Sequence, residues 1–372
     1  MKQQFSVAQL FDGDRWHQQV TVDVVDGVID AITPAKGAVL PWTMVPGFID
    51  VQVNGGGGAL FNTEPSLQAL RTMVKAHAQF GSVGLVPTVI TDCIEVMQRT
   101  ADAVAEAIRA GEPGVLGIHF EGPHLSVPKK GVHPVQHIRG LSADELALYG
   151  RTDLGVKVVT VAPENVTPEQ IAQLVALNVH VCLGHTNADG ATTAAALAAG
   201  ASGFTHLYNA MSPLTSREPG VVGVALADRN SWCGIILDGH HVHPTAAKLA
   251  IHAKPRGKMM IVTDAMSPVG TNDTEFPFFD GKVTRDGNKL TNDHGQLAGS
   301  VLDMADAVRY AVQQLGVAHD EALQMAARYP AEFLALGQSH GQLKVGYRAD
   351  FALVDKFAVK ATYVAGQPLY QA

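Results

Sequence analysis

The sequence has few cysteines, few charged residues and no long apolar segment. Its three cysteines, Cys93, Cys182 and Cys233, are widely spaced among 372 residues. A disulfide framework is therefore not expected, and free thiols are typical of a reducing compartment, here the cytoplasm. No window approaches the ~20 apolar residues of a membrane span, and the first residues are not followed by the apolar core of a signal peptide. The sequence thus predicts a cytoplasmic protein with no membrane partner.

Basic residues form no cluster along the chain. Lysine and arginine together number 27 against 35 acidic residues, which gives a formal net charge of −8. This balance argues against nucleic acid or an anionic membrane surface as the partner and favours a small molecule. The chain length suits one large barrel of roughly 250 to 300 residues with an accessory module.

Both ends of the chain alternate apolar and polar residues, a pattern typical of half-buried strands. The alternation is clearest in residues 20–24, and a similar β-rich pattern closes the chain from residue 349 onward. Because these two ends flank a middle region of different character, we predict one small β-sandwich domain formed by residues 1–45 together with residues 343–372.

The middle region repeats a short apolar run, a turn and a helical segment, which is the pattern of βα units. Eight such units predict a (β/α)8 barrel over residues 46–342. The predicted barrel strands are residues 48–53, 85–88, 116–120, 156–161, 179–183, 203–205, 233–237 and 259–263.

Residues 271–299 interrupt this rhythm. They contain two Asp-Gly pairs, Asp280-Gly281 and Asp286-Gly287, which favour tight turns between antiparallel strands. We therefore predict a β-hairpin insertion after the eighth barrel strand. Long insertions at this end of a barrel usually shape access to the substrate site.

Side chains with metal-binding chemistry stand at the ends of three predicted strands. Glu121 ends the third strand before a Gly-Pro break, and His185 and His206 follow the fifth and sixth strands. The carboxyl ends of barrel strands meet at one face, so the three side chains are expected to lie close together. One carboxylate and two imidazoles leave a coordination position open, which is typical of a catalytic rather than a structural metal site.

Two aspartates, Asp238 and Asp264, end later strands. Any one such residue is more often a hydrogen-bonded structural group, but the combination on one face of one barrel indicates a functional site. Asp264 has the position needed to take a proton from a water molecule that a metal ion has made more acidic, and to pass it to a leaving group. The pattern indicates metal-assisted hydrolysis.

Several motifs resemble those of the amidohydrolase superfamily. They include residues 46–50 (PGFID) on the first strand and residues 346–351 (GYRADF) near the C-terminus. Most members carry His-x-His two residues after the first-strand aspartate, whereas this chain has Gln52-Val53-Asn54 and so lacks two ligands of a binuclear site.

That departure is similar to one branch, the N-acetylglucosamine-6-phosphate deacetylases, and the resemblance covers nearly the whole chain in the family's order. The motifs that carry it are HFEGP (119–123), KKGVH (129–133), GHT (184–186), THLYNAM (205–211), REPG (217–220), DGHHV (238–242) and LAGS (297–300).

The resemblance implies a metal site and a catalytic pair. Glu121, His185 and His206 would hold one divalent metal ion per subunit, expected to be Zn²⁺, although Fe²⁺, Mn²⁺ or Co²⁺ also suits such ligands. Asp264 would act first as the general base and then as the general acid. His133 would polarise the carbonyl of the substrate's acetamide and stabilise the oxyanion.

The resemblance also implies a homodimer and a set of substrate contacts. Arg217 and His241 would bind the 6-phosphate, because a guanidinium fork matches phosphate oxygens, and some phosphate contacts would cross the subunit interface. Gln52 and Asn54 form a candidate first-strand site. The residues expected to contact the substrate are Val132, Asn209, Ala210, Arg217, Asp238, Gly239, His240, His241, Leu297, Ala298 and Gly299.

The predicted reaction is hydrolysis of N-acetyl-D-glucosamine 6-phosphate to D-glucosamine 6-phosphate and acetate, in amino-sugar catabolism or recycling. One alternative is a deacetylase of an epimer such as N-acetylgalactosamine 6-phosphate, since only contacts to ring hydroxyls would differ. Another alternative is a non-catalytic sugar-phosphate sensor, whose expected signature is loss of a metal ligand or of Asp264. All four of those residues are present.

Overall fold

The computed structural model describes residues 2–279 and 281–372. The strands are β1 (Lys2–Phe11), β2 (Trp16–Val25), β3 (Val28–Pro34), β4 (Leu40–Pro46), β5 (Phe48–Val53), β6 (Gly55–Gly56), β7 (Ala59–Leu60), β8 (Ser82–Ile90), β9 (Gly117–Glu121), β10 (Val156–Val161), β11 (Val179–Leu183), β12 (Gly203–Phe204), β13 (Trp232–Ile235), β14 (Met259–Ile261), β15 (Glu275–Phe278), β16 (Gly281–Asp286), β17 (Lys289–Asn292), β18 (Phe351–Asp355), β19 (Ala358–Val364) and β20 (Gln367–Gln371). The helices are α1 (Leu67–Ala78), α2 (Ile94–Ala110), α3 (Ala143–Tyr149), α4 (Pro168–Ala176), α5 (Gly190–Ala198), α6 (Gly220–Ala227), α7 (Pro244–Ala253), α8 (Met304–Gln313), α9 (His319–Ala326) and α10 (Arg328–Phe333).

Eight parallel strands form a nearly closed barrel, in the order β5, β8, β9, β10, β11, β12, β13 and β14. The backbone N–H of Asp264 donates to the carbonyl of Gln52 at 3.0 Å, which joins the end of the eighth strand to the first. β5 and β8 are buried along their whole length, as expected of barrel strands covered on both faces. The predicted (β/α)8 barrel is confirmed.

Local sequence signals set the ends of several barrel helices. Thr167 begins α4 with a capping box to Gln170, and Pro168 takes the first turn, where its missing N–H is not needed. Asp189 caps α5, and α2 ends at Gly111 in the left-handed conformation. Among the helices that the structure describes, none is both long and apolar enough to span a bilayer.

The two termini form one seven-stranded sheet, in the order β20, β19, β18, β4, β1, β2 and β3. The ring centroid of Phe5 on β1 lies 5.1 Å from that of Tyr363 on β19, although two strands lie between β1 and β19 in the sheet. The sheet is therefore strongly curled. The curled sheet encloses a small core separate from that of the barrel. The predicted accessory β module from both termini is confirmed, while its exact boundaries, residues 1–45 with 343–372, stay a prediction.

The segment that follows β14 carries β15, β16 and β17, which pair antiparallel. Asp286-Gly287 lies at the turn between β16 and β17, and Asp280 of the other predicted turn lies outside the described residues. Apolar side chains of this insertion pack against side chains at the mouth of the barrel and form what we call the mouth cluster. Its buried members are Leu60, Ile90, Met266, Phe278, Val283, Leu290 and Ala298.

Candidate active site

The candidate metal ligands stand where barrel strands end. Glu121 is the last residue of β9, and His185 and His206 each lie two residues beyond β11 and β12. His185, His206 and Asp264 have φ values of 47°, 32° and 52°. A left-handed backbone is uncommon for residues other than glycine and is concentrated at functional sites. In each case the turn immediately after the strand sets the direction of the side chain.

The three candidate ligands converge on one point. The Nε2 atoms of His185 and His206 lie 3.0 Å apart, and they lie 3.2 and 3.0 Å from Glu121 Oε1. Nitrogen ligands on one tetrahedral zinc ion lie roughly 3.3 to 3.5 Å apart, given bond lengths of about 2.0 to 2.1 Å. All three side chains are buried. The donor set and its spacing therefore fit a divalent metal ion.

Contacts around these ligands set the protonation states that binding a cation requires. The carbonyl of Lys129 can only accept, so its 2.9 Å contact with Nδ1 of His185 places the ring proton on Nδ1 and leaves the Nε2 lone pair available. Burial alone would raise the pKa of Glu121, but the close approach of the His185 and His206 rings holds that pKa well below its usual range. Glu121 is thus an ionised ligand.

Amides of the first strand hold Asp264. Gln52 Nε2 lies 3.1 Å from each carboxylate oxygen of Glu121 and 3.3 Å from Asp264 Oδ1, and Asn54 Nδ2 donates to the same Oδ1 at 2.6 Å. Burial, followed by the negative charge of Glu121, raises the pKa of Asp264 to about 6. A carboxyl group with a pKa near neutrality exchanges protons readily at cellular pH.

Asp50 holds the backbone segments that carry Gln52 and Asp264, a role that sequence reasoning did not assign. Its carboxylate accepts hydrogen bonds from the hydroxyl and backbone N–H of Thr263 and from the backbone N–H of Gln52. It therefore ties the residue before Asp264 to the first strand. Asp50 is fully buried, and burial raises its pKa to about 7. Its sequence signals were its place in the PGFID motif and an acidic residue in a mostly apolar strand.

His133 lines the cavity beside the candidate ligands, with its ring centroid 4.3 Å from that of His185. Two groups of Thr91 approach His133 Nδ1, the backbone N–H at 3.4 Å and Oγ1 at 2.9 Å. The backbone N–H can only donate, so Nδ1 is assigned as the acceptor and the neutral ring carries its proton on Nε2. Burial and the nearby His185 hold the pKa of His133 well below its usual range. His133 is thus a neutral hydrogen-bond donor suited to a carbonyl oxygen.

His119, two residues before Glu121, takes no part in the ligand set. Its Nδ1 lies 3.0 Å from the carbonyl of Val51 and its Nε2 lies 2.7 Å from Thr160 Oγ1. Both ring nitrogens are therefore bound within the protein. His119 is a histidine of the protein core and not a further ligand.

A cavity of about 220 Å³ opens over these groups. Most of the predicted site residues line it, together with Ile90, Gly131, Met266 and Phe278, which sequence reasoning missed. The predicted residues among its lining are Asn54, Glu121, Val132, His133, His185, His206, Asn209, Ala210, His241, Asp264, Leu297 and Gly299.

Some predicted contacts lie outside this lining. Arg217 is exposed on the loop before α6, and His240 is exposed with its Nε2 2.7 Å from Asn288 Oδ1 at the tip of the insertion. Among the lining residues that the structure describes, none is a lysine or an arginine. A phosphate group bound here would need a cation brought from a neighbouring loop or from another subunit.

Asp238 orients His241 rather than lining the cavity itself. Its carboxylate accepts from His241 Nδ1 at 2.6 Å and from the backbone N–H groups of His240 and His241 at 2.8 and 2.9 Å. Burial would raise the pKa of Asp238, but the hydrogen bonds and the charge of His241 lower it. The adjoining Gly239 has a φ of 79°, which a glycine adopts without strain.

Residues 297–299 run beside the chain segment that carries Asp264. The backbone N–H of Ser300 donates to the carbonyl of Asp264 at 2.9 Å. Gly299 has a φ of 61°, and a Cβ added there would lie 2.5 Å from Met266 Cγ and 2.9 Å from the carbonyl oxygen of Asp264. A residue without a side chain is therefore required at this point of the cavity wall.

Both the sequence and the fold are similar to those of known proteins. The model of the amidohydrolase family matches residues 43–369. The chain is 55% identical over 366 residues to an N-acetylgalactosamine-6-phosphate deacetylase of Shewanella sp. (strain ANA-3), covering 95% of this chain and 93% of that protein. It is 36% identical over 345 residues to an N-acetylglucosamine-6-phosphate deacetylase of Bos taurus, covering 88% and 83%. The crystal structure of N-acetylglucosamine-6-phosphate deacetylase from Pasteurella multocida matches with a TM-score of 0.94 and 33% identity, over 99% of both chains.

Proposed function

Because the chain belongs to the amidohydrolase family, we propose that it is a metal-dependent deacetylase of amino-sugar 6-phosphates. The reaction is hydrolysis of N-acetyl-D-glucosamine 6-phosphate to D-glucosamine 6-phosphate and acetate, a step of amino-sugar catabolism or recycling. The observation that carries this proposal is the meeting of Glu121, His185 and His206 with Asp264 and His133 in one cavity.

Glu121, His185 and His206 would hold one divalent ion, for which Zn²⁺ is the first choice on ligand chemistry. When bound, such an ion would supply positive charge that polarises the acetamide carbonyl and makes water more acidic. The hydrolysis forms a carbon–oxygen bond from water to the acetyl group and breaks the bond between that carbonyl carbon and the sugar nitrogen.

Asp264 carries out both proton transfers of this reaction. Its carboxylate takes one proton from the attacking water, and the protonated group then delivers that proton to the departing amine. The amides of Gln52 and Asn54 keep Oδ1 of Asp264 in one orientation during both steps. His133, with its proton on Nε2, donates a hydrogen bond to the oxyanion that forms on the acetyl group.

The substrate's phosphate is bound by His241 and Arg217. His241 lines the cavity and is oriented by Asp238, whereas Arg217 is exposed on its loop. We assign the chain to a homodimer in which part of the phosphate contact crosses the interface. The three free cysteines, Cys93, Cys182 and Cys233, support the cytoplasm as its compartment.

N-acetyl-D-galactosamine 6-phosphate is a second candidate substrate. The observation in its favour is the 55% identity with a protein named for that epimer. The two sugars differ only in the direction of the hydroxyl at C4, so the acetamide chemistry described above applies to both.

The experiment that tests the function is acetate release from each 6-phosphate by metal-loaded protein. Unphosphorylated N-acetylglucosamine and chelated protein serve as controls. We expect rapid release that requires both the metal and the phosphate. Binding of either sugar phosphate to metal-loaded protein without acetate release would instead favour the non-catalytic sensor.

A further inference from the structure

One side of the cavity is apolar and continuous with the mouth cluster. Ile90, Met266 and Phe278 line the cavity as buried members of that cluster, and Val132 lines it while packing against them. The candidate ligands and Asp264, in contrast, come from the strand ends of the barrel. A substrate in the cavity would therefore contact polar side chains on one side and apolar side chains on the other.

Phe278 is the residue that the insertion contributes to this apolar side. It lies on β15, is 7% exposed and is braced by the ring of Phe279, whose centroid lies 4.7 Å away. Apart from histidines, no other aromatic side chain appears among the described residues that line the cavity. An aromatic face at the wall of a sugar site offers a flat surface for the C–H groups of a pyranose ring.

We propose, on the basis of the deacetylation proposed above, that Phe278 determines the choice between the two sugar epimers and favours the galacto ring. In that ring the hydroxyl at C4 is axial, so one face of the sugar carries only C–H groups around C3, C4 and C5. Stacking of this face on Phe278 directs the C4 hydroxyl away from the hydrocarbon and toward the polar side of the cavity.

The gluco ring fits this wall less well. Its C4 hydroxyl is equatorial and points outward in the plane of the ring. In the same stacked position, our proposal places this hydroxyl against the apolar surface formed by Ile90, Val132 and Met266. Side chains of these types offer no hydrogen-bond partner, and a hydroxyl removed from water without a partner is costly. The same stacked position therefore satisfies the axial hydroxyl and leaves the equatorial one unpaired.

The test measures kcat/KM for both 6-phosphates in wild-type protein and in three variants. Phe278→Leu keeps an apolar side chain in the mouth cluster but removes the ring, and Phe278→Tyr keeps the ring. Phe276→Leu is the matched control, because Phe276 lies on the same strand and packs against the same cluster without lining the cavity.

We expect wild-type protein to favour the galacto epimer and Phe278→Leu to reduce the galacto-to-gluco ratio by roughly 10-fold, the scale of one lost apolar contact in a pocket. Phe278→Tyr and Phe276→Leu should keep the ratio within about 2-fold of wild type. An equal loss for both epimers in Phe278→Leu, a wild-type preference for the gluco epimer, or the same shift in either of the other variants would overturn the inference. Absence of acetate from both epimers with wild-type protein would instead overturn the proposed function.

Discussion

The side-chain amide of Asn54 donates to Asp264 Oδ1 at 2.6 Å, the shortest contact that the candidate base makes with a side chain. Asn54 Oδ1 itself is buried and has no hydrogen-bond partner among the described residues. A buried amide oxygen without a partner costs free energy, so it is expected to accept a hydrogen bond from water or substrate in the working enzyme. Asn54 would thus donate to Asp264 through its amide N–H while its amide oxygen accepts from water or substrate in the cavity.

Replacing Asn54 by leucine removes this donor while keeping a side chain of similar size. We expect kcat to fall by about 10-fold to 100-fold, the usual effect of removing a partner that orients a reacting group. The bound metal, measured by elemental analysis, should stay at the wild-type level because Asn54 does not contact the three candidate ligands. Loss of the metal from this variant would contradict the assignment.

Replacing Asp264 by asparagine removes the proton acceptor but keeps the shape of the side chain. We expect a loss of roughly 100-fold or more in kcat with metal content unchanged. Asp238→Asn is the contrast, because Asp238 orients His241 in the proposed phosphate site, so that variant should raise KM more than it lowers kcat. Full activity of the Asp264→Asn variant would show that another group handles the proton.

The barrel was predictable because its signals are local. Short apolar runs at regular spacing mark the strands, and Glu121 stands directly before the Gly-Pro that ends one of them. Strand ends in a parallel barrel meet at one face whatever the loops do. The approach of His185 and His206 to Glu121 therefore followed from the order of the chain, although their left-handed backbone conformations did not.

The cavity wall was much less predictable, because it depends on contacts between segments distant in sequence. Thr91 and His133 are 42 positions apart, and no periodicity links them. Phe278 reaches the cavity only because the insertion packs on the barrel mouth. Arg217 is exposed on the loop before α6, a position that its REPG motif did not indicate.

Removing the metal should lower thermal stability, because an ion that binds only the folded state stabilises it. We expect apo protein to regain its melting temperature when Zn²⁺ is added, and His206→Ala to show no such gain. His133→Ala is a suitable control, since His133 lines the same cavity without belonging to the candidate ligand set. If His133→Ala also failed to bind Zn²⁺, the ligand assignment would need revision.

Adding one methyl group at Gly299 should be damaging. The new Cβ would approach Met266 Cγ and the carbonyl oxygen of Asp264, at a φ of 61°. Gly295→Ala is a matched control, since Gly295 has a φ of 74° with open space around it. We expect Gly295→Ala to cost about 1 to 2 kcal/mol of unfolding free energy from backbone strain alone. Gly299→Ala should cost more and also lower kcat, and equal losses in urea unfolding would contradict this account.

His77 should make the protein less stable in mild acid. The residue is fully buried with its Nε2 2.9 Å from the carbonyl of Gly55, and burial lowers its pKa to about 4. In the unfolded chain the pKa is near 6.5, so between about pH 6.5 and pH 4 the unfolded state binds a proton that the folded state does not. Stability contributed by the neutral ring is therefore present above pH 6.5 and is lost as the pH falls toward 4.

A shift of this size corresponds to at most about 3 kcal/mol between pH 7 and pH 4. His77→Gln keeps a side-chain N–H for the carbonyl of Gly55 but carries no titrating group, so its unfolding free energy should fall less steeply with acid. His294→Gln, at an exposed position, should leave the acid dependence as it is in wild type. Urea unfolding at pH 7 and pH 5 measures both slopes. A wild-type slope in His77→Gln would show that the acid sensitivity arises from other groups, because no charge change at position 77 remains in that variant.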